Sequence, residues 1–405
     1  MGQRRVVVSG LGVVSAVGSG AAFWQGLLAG RSGFRREPGA SAAAVARVTD
    51  TVGADSLRNK RRARILNRSS ELLIAAAALA RSDAALADDG LAGGRLGTAI
   101  GVGPIDQHTP DFQQAIANAP SEQGRLGATW IAAVGSGLDP LRRLRHLPNV
   151  VTSLVSIEHA ADGPSLTFVG GALAGMAALA EAYALIRAGT VDAVLCGGVD
   201  ARLHRQAMAA LTRSLTLSGA IDPDDACHPF HEAMTGTAVA EGAAVLVLEE
   251  LASATQRGCR CYAELVDTRS FGPGDPGRWV ELFHYRPLVA GESQVAIVAH
   301  GDGGPLDRPE AAAIRASFPQ QERLCVTSIK GGVGHTMTAC GPLNAAVACL
   351  AIRDGVVPPI AGFRRPSAEL PLVEGAPARA PIDEAIAVSL DRSGAGTSLW
   401  FNRVA

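Results

Sequence analysis

The chain reads as an α/β fold with parallel strand pairs in a sheet covered on both faces. Three observations carry this. Short apolar runs recur along the chain, and Gly-rich turns and Ala-rich segments of helical length alternate with them. Those runs are mostly apolar throughout, as strands buried on both faces are. One strand–turn–helix–strand unit also appears twice, at a spacing too long for a solenoid repeat.

Val6–Ser9 is strand-like, ends in a turn at Gly10, and is followed by a helix around Ala21–Ala29. A long Ala-rich helix is expected over Leu72–Ala85 and a short buried strand over Gly97–Val102. The first copy of the repeated unit is strand Leu166–Val169, turn Gly170–Gly171, helix Leu173–Ala188 and strand Asp192–Gly198. Ala243–Glu249 is a further apolar strand. The second copy is strand Cys325–Ile329, turn Gly331–Gly334, helix Leu343–Asp354 and strand Val356–Pro359. Between the copies, Thr268–Gly277 carries Gly272-Pro273-Gly274 and Pro276-Gly277 and reads as a surface loop.

Length and composition bound the rest. At about 150 residues per domain, 405 residues allow two or three domains or one large duplicated one. Lys plus Arg (37) nearly balances Asp plus Glu (38), for a net charge of −1, so nothing suggests a polyanion-binding protein. With 47% hydrophobic and 19% charged residues the chain can fill a large core and is too apolar for disorder. Aromatics are only 4%, so Ala, Val, Leu and Ile must fill it.

The longest apolar run, Leu72–Ala80, is far shorter than the roughly 18 residues of a membrane span. The N-terminus enters a strand-like run without a signal-peptide pattern, and Met1-Gly2 lacks the Ser or Thr that myristoylation prefers. The seven cysteines are scattered, with no CxxC pair, against both a zinc site and a disulfide scaffold. A soluble cytoplasmic protein with reduced thiols is expected, with no metal, cofactor, membrane or nucleic-acid partner.

Four segments stand out by their order and spacing: VVVSGLGVVSAVG (6–18), the stretch 163–200 beginning GPSLTFVGGALAGM, AHGDGGPL (299–306) and SIKGGVGHTMTACG (328–341). Cys227-His228-Pro229-Phe230 followed by Glu241-Gly242-Ala243 fits the same pattern. Together they resemble the β-ketoacyl-acyl carrier protein synthases of fatty-acid and type II polyketide assembly, over nearly the whole chain from Val6 to about Thr397. The resemblance implies a dimeric, duplicated thiolase-like fold layered α-β-α-β-α. It implies an N-terminal half over 1–250, with inserted cap and interface helices, and a C-terminal half over 251–405.

In that family a Cys at a strand-to-helix turn takes the acyl chain as a thiolate activated by the helix N-terminus. Two His residues polarise the malonyl thioester and stabilise the enolate oxygen, and a Lys supports one of them. Here the nucleophile position, nine residues after Gly163, is Ala172, and a methyl group cannot attack a thioester. Neither Cys196, at the end of a strand, nor Cys340, five residues beyond His335, matches the turn after Leu166–Val169. His300 and His335 match the two family histidines, and Lys330 lies five residues before His335. They form either a retained oxyanion-binding pair or packed polar groups without a reaction.

Other features depart from the family pattern. H-G-T-x-T becomes His300-Gly301-Asp302-Gly303-Gly304, and the gating loop G-F-G-G-T-N becomes Arg392–Ser398, with Gly394 or a neighbour in place of its Phe. No condensation chemistry is expected from Ala172, His300, Lys330 and His335. A ketosynthase-like chain without its nucleophile resembles the chain length factor, or ketosynthase β subunit, which pairs with an active ketosynthase α subunit. Many such subunits carry Gln at this position, so Ala172 leaves the subclass open.

The resemblance implies pairing through the edge strand with Leu166, Phe168 and Val169, which removes an otherwise open sheet edge. It implies an acyl tunnel at the subunit boundary that sets polyketide or polyene chain length, with Phe112, Ala115 and Ile116 on its floor or simply on the packed face of a helix. The cluster Lys60, Arg61, Arg62, Arg64 and Arg68 is either the docking patch for an acidic acyl carrier protein bearing the chain or a solvated basic helix end. Two other functions are compatible with the residues: a malonyl-carrier decarboxylase using His300 and His335, and a scaffolding homodimer without catalysis.

Overall fold

The computed structural model describes residues 3–36, 44–49, 57–87, 91, 93–105, 117, 121–122, 125–126, 144–220, 222–233, 235–284, 293–363, 365 and 369–404. Ten strands form two five-stranded units. The first holds β1 (Val6–Ser15), β2 (Leu96–Val102), β3 (Ser165–Val169), β4 (Ala193–Asp200) and β5 (Gly242–Glu250), in the order β3-β2-β4-β5-β1. The second holds β6 (Ala263–Phe271), β7 (Gln294–Val298), β8 (Leu324–Thr327), β9 (Ile382–Leu390) and β10 (Gly396–Asn402), in the order β8-β7-β9-β10-β6. The two orders are the same topological sequence. The pairing senses also repeat: two parallel joints from the outer edge, then two antiparallel ones. The units join where Val6–Val8 pair with Ala263–Leu265.

The principal helices are α1 (Ala21–Leu28), α2 (Arg68–Asp83), α3 (Pro148–Glu158), α4 (Ala174–Arg187), α5 (Asp307–Ser317) and α6 (Cys340–Asp354). Three apolar clusters fill the spaces between layers. One lies between α2, α3 and the first sheet, one around α4 and α6 between the sheets, and one between the second sheet, α5 and the 3-10 turn Pro276–Phe283. Strand β5 shows the period of two that this requires: Ala244, Leu246 and Leu248 face the central cluster, and Ala243, Val245 and Val247 the outer one. The architecture is therefore α-β-α-β-α.

Local signals set the helix ends. Asn67 caps α2 by accepting the N–H of Ser70 at 2.8 Å, so the helix begins at Arg68, four residues upstream of the expected start at Leu72. Gly355, at φ 62°, ends α6 in the left-handed conformation. Helix α6 is buried from Cys340 to Ile352, which its small residues allow. Where α4 passes between the strands and the turn Met337–Ala339, only glycine fits. A Cβ on Gly101 would lie 2.5 Å from Gly175 N, and one on Gly175 2.3 Å from Thr338 O.

Three sequence expectations are corrected. Gly10 does not end the first strand in a turn: β1 runs on to Ser15, with a register shift between Val8 and Gly10. Val356–Pro359 is not the closing strand of the second repeat. Only Val356–Val357 is extended, pairing with Ala378–Arg379, and the counterpart of β4 is β9, some 25 residues later. Thr268–Phe271 is not loop but the end of β6, paired with Gly396–Leu399. Neighbouring Gly and Pro residues hid a register that only the partner strand supplies.

The two outer edges differ. β8 is fully buried, and the segment 371–373 lies along it: Val326 donates to Pro371 O at 3.0 Å and accepts from Val373 N at 2.9 Å. β3 pairs with β2 on one side and, among the described residues, with nothing on the other. Among the described residues, the large hydrophobic residues that stand exposed are Val169 on β3 (57%), with Leu147 (45%) and Ile157 (52%) at the two ends of the adjoining α3. No helix among the described residues is long and apolar enough to cross a membrane.

Candidate active site

The two copies of the repeated unit converge at a cavity of about 40 Å³ lined by Ala172, His300, Asp302, His335, Met337 and Leu390. Ala172 sits in the turn between β3 and α4 and is 5% exposed. Ser389 Oγ donates to its carbonyl at 2.9 Å, and the next residue, Leu390, donates its N–H to His300 Nδ1 at 3.2 Å. The end of β9 thus fixes both the turn and the first imidazole.

His300 follows β7 on a loop held by buried groups. Glu310 accepts the N–H of His300 at 2.7 Å and of Gly301 at 2.8 Å. Asp307 accepts those of Phe230, Asp302 and Gly303 at 2.6, 2.8 and 3.0 Å. Lys330, fully buried, donates its ammonium to His300 O. The sequence reading missed Asp307 and Glu310. Their signal is the i, i+3 placement of two carboxylates in the first turn of a helix, facing a Gly-rich loop whose N–H groups need acceptors. Phe230 and Met337 flank the site at φ 57° and 46°, strain that the surrounding hydrogen bonds hold in place.

His335 leaves a short helix, Lys330–Val333, and its Nδ1 accepts the N–H of Met337 at 3.2 Å. The two imidazole rings stand 5.5 Å apart at 74°. Because each Nδ1 accepts a backbone N–H, each ring carries its proton on Nε2. Burial, reinforced by Lys330, pushes His300 down to about 4 and His335 well below its ordinary value, so both are neutral Nε2–H donors. His300 Nε2 is buried without a hydrogen-bond partner; Asp302 Oδ2, at 3.8 Å, is too far.

One nitrogen from each ring and one Asp302 oxygen lie within 4.8 Å of one another, as in a two-His, one-carboxylate cation site. The tautomers oppose that use. A metal on Nε2 requires the proton on Nδ1, where the Leu390 and Met337 N–H groups already point. The arrangement suits hydrogen-bond donation to a carbonyl or oxyanion.

Cys340 does not replace the missing nucleophile. Its Sγ lies 3.6 Å from His335 Nδ1, outside the cavity lining, and burial raises its pKa. Cys196 is buried at 0% exposure, with its thiol pushed up by burial. In the altered gating loop, Gly394 has φ 86° and a Cβ there would lie 1.8 Å from Gly274 O, so no side chain can stand at that position.

Of the basic cluster, Arg62 pairs with the buried Glu158, and Arg68 with the buried Glu241 and with Val48 O at 2.7 Å. Lys60, Arg61 and Arg64 are exposed on the 3-10 helix Lys60–Ile65. Leu166 and Phe168 are half-buried on β3, and Val169 is exposed beside them. Phe112, Ala115 and Ile116 lie outside the described residues.

Residues 3–254 match the β-ketoacyl synthase N-terminal domain, and residues 289–364 its C-terminal domain. The chain belongs to the β-ketoacyl synthase family. It is 31% identical over 389 residues to the tetracenomycin polyketide synthase ketoacyl synthase alpha subunit of Streptomyces glaucescens, covering 91% of this chain and 90% of the relative. It is 27% identical to 3-oxoacyl-[acyl-carrier-protein] synthase 2 of Staphylococcus aureus, covering 99% of both. The ishigamide ketosynthase/chain length factor superposes with a TM-score of 0.81 at 25% identity over the full length of both chains. A β-ketoacyl synthase from Burkholderia phymatum superposes at 0.85 with 24% identity, over 99% of this chain and 100% of that one. The fold is that of the type II polyketide ketosynthases and chain length factors.

Proposed function

We propose that this chain is a non-condensing, chain length factor-type subunit that pairs with an active ketosynthase and shapes the acyl tunnel between them. One observation carries the reading: the side chain facing the two imidazoles from the strand-to-helix turn is the methyl of Ala172. No thiol lines that cavity among the described residues, so no acyl-enzyme can form there. The cavity, about 40 Å³, is the size of one or two waters and holds no acyl chain.

The open edge of β3 supports a partner of the same fold, with Leu147, Ile157 and Val169 as its apolar contacts. The likeness to a ketosynthase/chain length factor supports the kind of partner. A further solved structure, of a type II polyketide synthase acyl carrier protein in complex with its ketosynthase, supports a carrier protein as the second partner, with a TM-score of 0.80 at 23% identity. On this reading Lys60, Arg61 and Arg64, exposed on the 3-10 helix Lys60–Ile65, steer an acidic carrier, and the halves divide near residue 250. The decarboxylase reading needs both Nε2–H donors open to a thioester, and the Asp302 carboxylate stands 3.8 Å from that of His300.

The test is co-expression with a ketosynthase that retains its Cys. A one-to-one complex that condenses malonyl units, with all acyl load on the partner, is the expected result. Covalent acylation of this chain purified alone, or carbon dioxide release from malonyl carrier protein by it alone, overturns the reading.

A further inference from the structure

We propose that Asp302 is an internal anion seated against the imidazole pair, and that its carboxylate excludes carboxylated acyl groups such as malonyl from the pocket at Ala172. The proposal rests on the non-condensing reading and gives the site a second, independent block. The argument starts from position. One Asp302 oxygen and one nitrogen of each imidazole lie within 4.8 Å of one another, and all three side chains line the same cavity as Ala172. Any anion that used the two imidazoles as donors would therefore meet a fixed negative charge at contact distance.

The carboxylate is held in place. Its Oδ1 accepts the N–H of Gly304 at 2.9 Å, and its own N–H donates to Asp307 Oδ1 at 2.8 Å. It is 5% exposed. It is also held charged. Burial opposes the charge, but the facing Nε2–H of His300 and, behind it, the Lys330 ammonium outweigh burial and keep the carboxyl below the ordinary range. The Lys330 ammonium is directed at the His300 carbonyl, and the one cation in the cavity lining among the described residues, the exposed Arg392, is accompanied there by the carboxylate of Asp391. A like charge at such range in a water-poor pocket is a means of rejecting a ligand rather than of binding one.

The experiment places a reporter thiol in the pocket. In an Ala172→Cys variant, the introduced thiol is alkylated with neutral iodoacetamide and with anionic iodoacetate, and each rate is read by mass spectrometry against glutathione under the same conditions. The expected selectivity against iodoacetate is roughly tenfold beyond that of glutathione. Adding Asp302→Asn, which keeps the shape and the acceptor for Gly304 N–H, is expected to bring the ratio to that of glutathione. Asp302→Thr in the same background is expected to do so as well, which guards against misfolding of either variant. An unchanged ratio in both double variants, or a thiol that no variant exposes to either reagent, overturns the proposal. Those outcomes leave the non-condensing reading untouched, and acylation of the unaltered chain would overturn that reading without moving this ratio.

Discussion

Glu310 holds the backbone N–H of His300 at 2.7 Å from the first turn of a helix, so one carboxylate sets the position of an imidazole it never touches. The same carboxylate takes the Gly301 N–H, and burial pushes its pKa up to about 7. Its folded pKa is raised, so its proton stabilises the fold below the unfolded value near 4.5, and that stability is lost as pH rises through 7. His300, lowered to about 4, and His335, also lowered, act in the opposite sense: the unfolded state binds their protons first, and stability falls as pH drops below 6.5. Glu310→Gln removes the opposing titration. Urea unfolding between pH 4.5 and 6.5 is expected to show a slope against pH steeper than wild type by up to one proton, about 1.4 kcal/mol per pH unit, on top of a general loss of about 1–3 kcal/mol from the amide facing two N–H groups. Parallel pH curves for the two proteins would refute the assignment.

The crossing of α4 with the strands and the turn at Thr338 makes a second expectation. Gly175→Ala puts a methyl 2.3 Å from a backbone oxygen on the turn that carries Met337, and backbone on both sides leaves little room to relax. A loss of about 3 kcal/mol or more in chemical denaturation is expected. Gly219→Ala, where no atom lies within 4 Å of the new Cβ, is the control and should change stability by less than about 0.5 kcal/mol.

At the open edge, Val169→Lys and Ile157→Lys alter exposed side chains and should leave the isolated chain's stability within about 0.5 kcal/mol of wild type. Each should weaken association with a ketosynthase partner by roughly tenfold or more, because a charge would be buried in the apolar contact. Sedimentation of the mixed subunits measures it. Undiminished association of both variants would remove β3 and α3 from the interface.

The thiols should be slow. Cys196, Cys227, Cys325, Cys340 and Cys349 are buried, and burial pushes Cys261 up to about 11 and Cys259 above its ordinary value. Iodoacetamide at pH 7.5 is expected to label only Cys259 and Cys261, more slowly than glutathione. Rapid labelling of any thiol in the folded chain would contradict this burial.

How far the sequence reaches can be judged residue by residue. The first repeated unit was legible because β3, its Gly turn and α4 are contiguous in sequence and each carries its own period. The site histidines and Lys330 were legible from motif spacing; the cavity brings both histidines together with Ala172, and Lys330 bonds the His300 carbonyl behind them. What escaped depends on distant partners. Ser389 and Leu390, on β9, are ordinary strand residues until the fold sets them against Ala172 and His300. Arg62 and Arg68 read as part of a charge run, and only tertiary structure brings Glu158 and Glu241 to them. The closing strand of the second repeat was misplaced because about 25 residues intervene where the first repeat has a tight connection.

The unequal treatment of the duplicated edges limits how many subunits can join. Segment 371–373 lies along the outer side of β8, and among the described residues β3 has no such cover. On the proposed pairing, two protomers that meet β3 to β3 would leave a covered β8 edge at each far end, and association would stop at the pair rather than grow into fibres, whether the two members are alike or different.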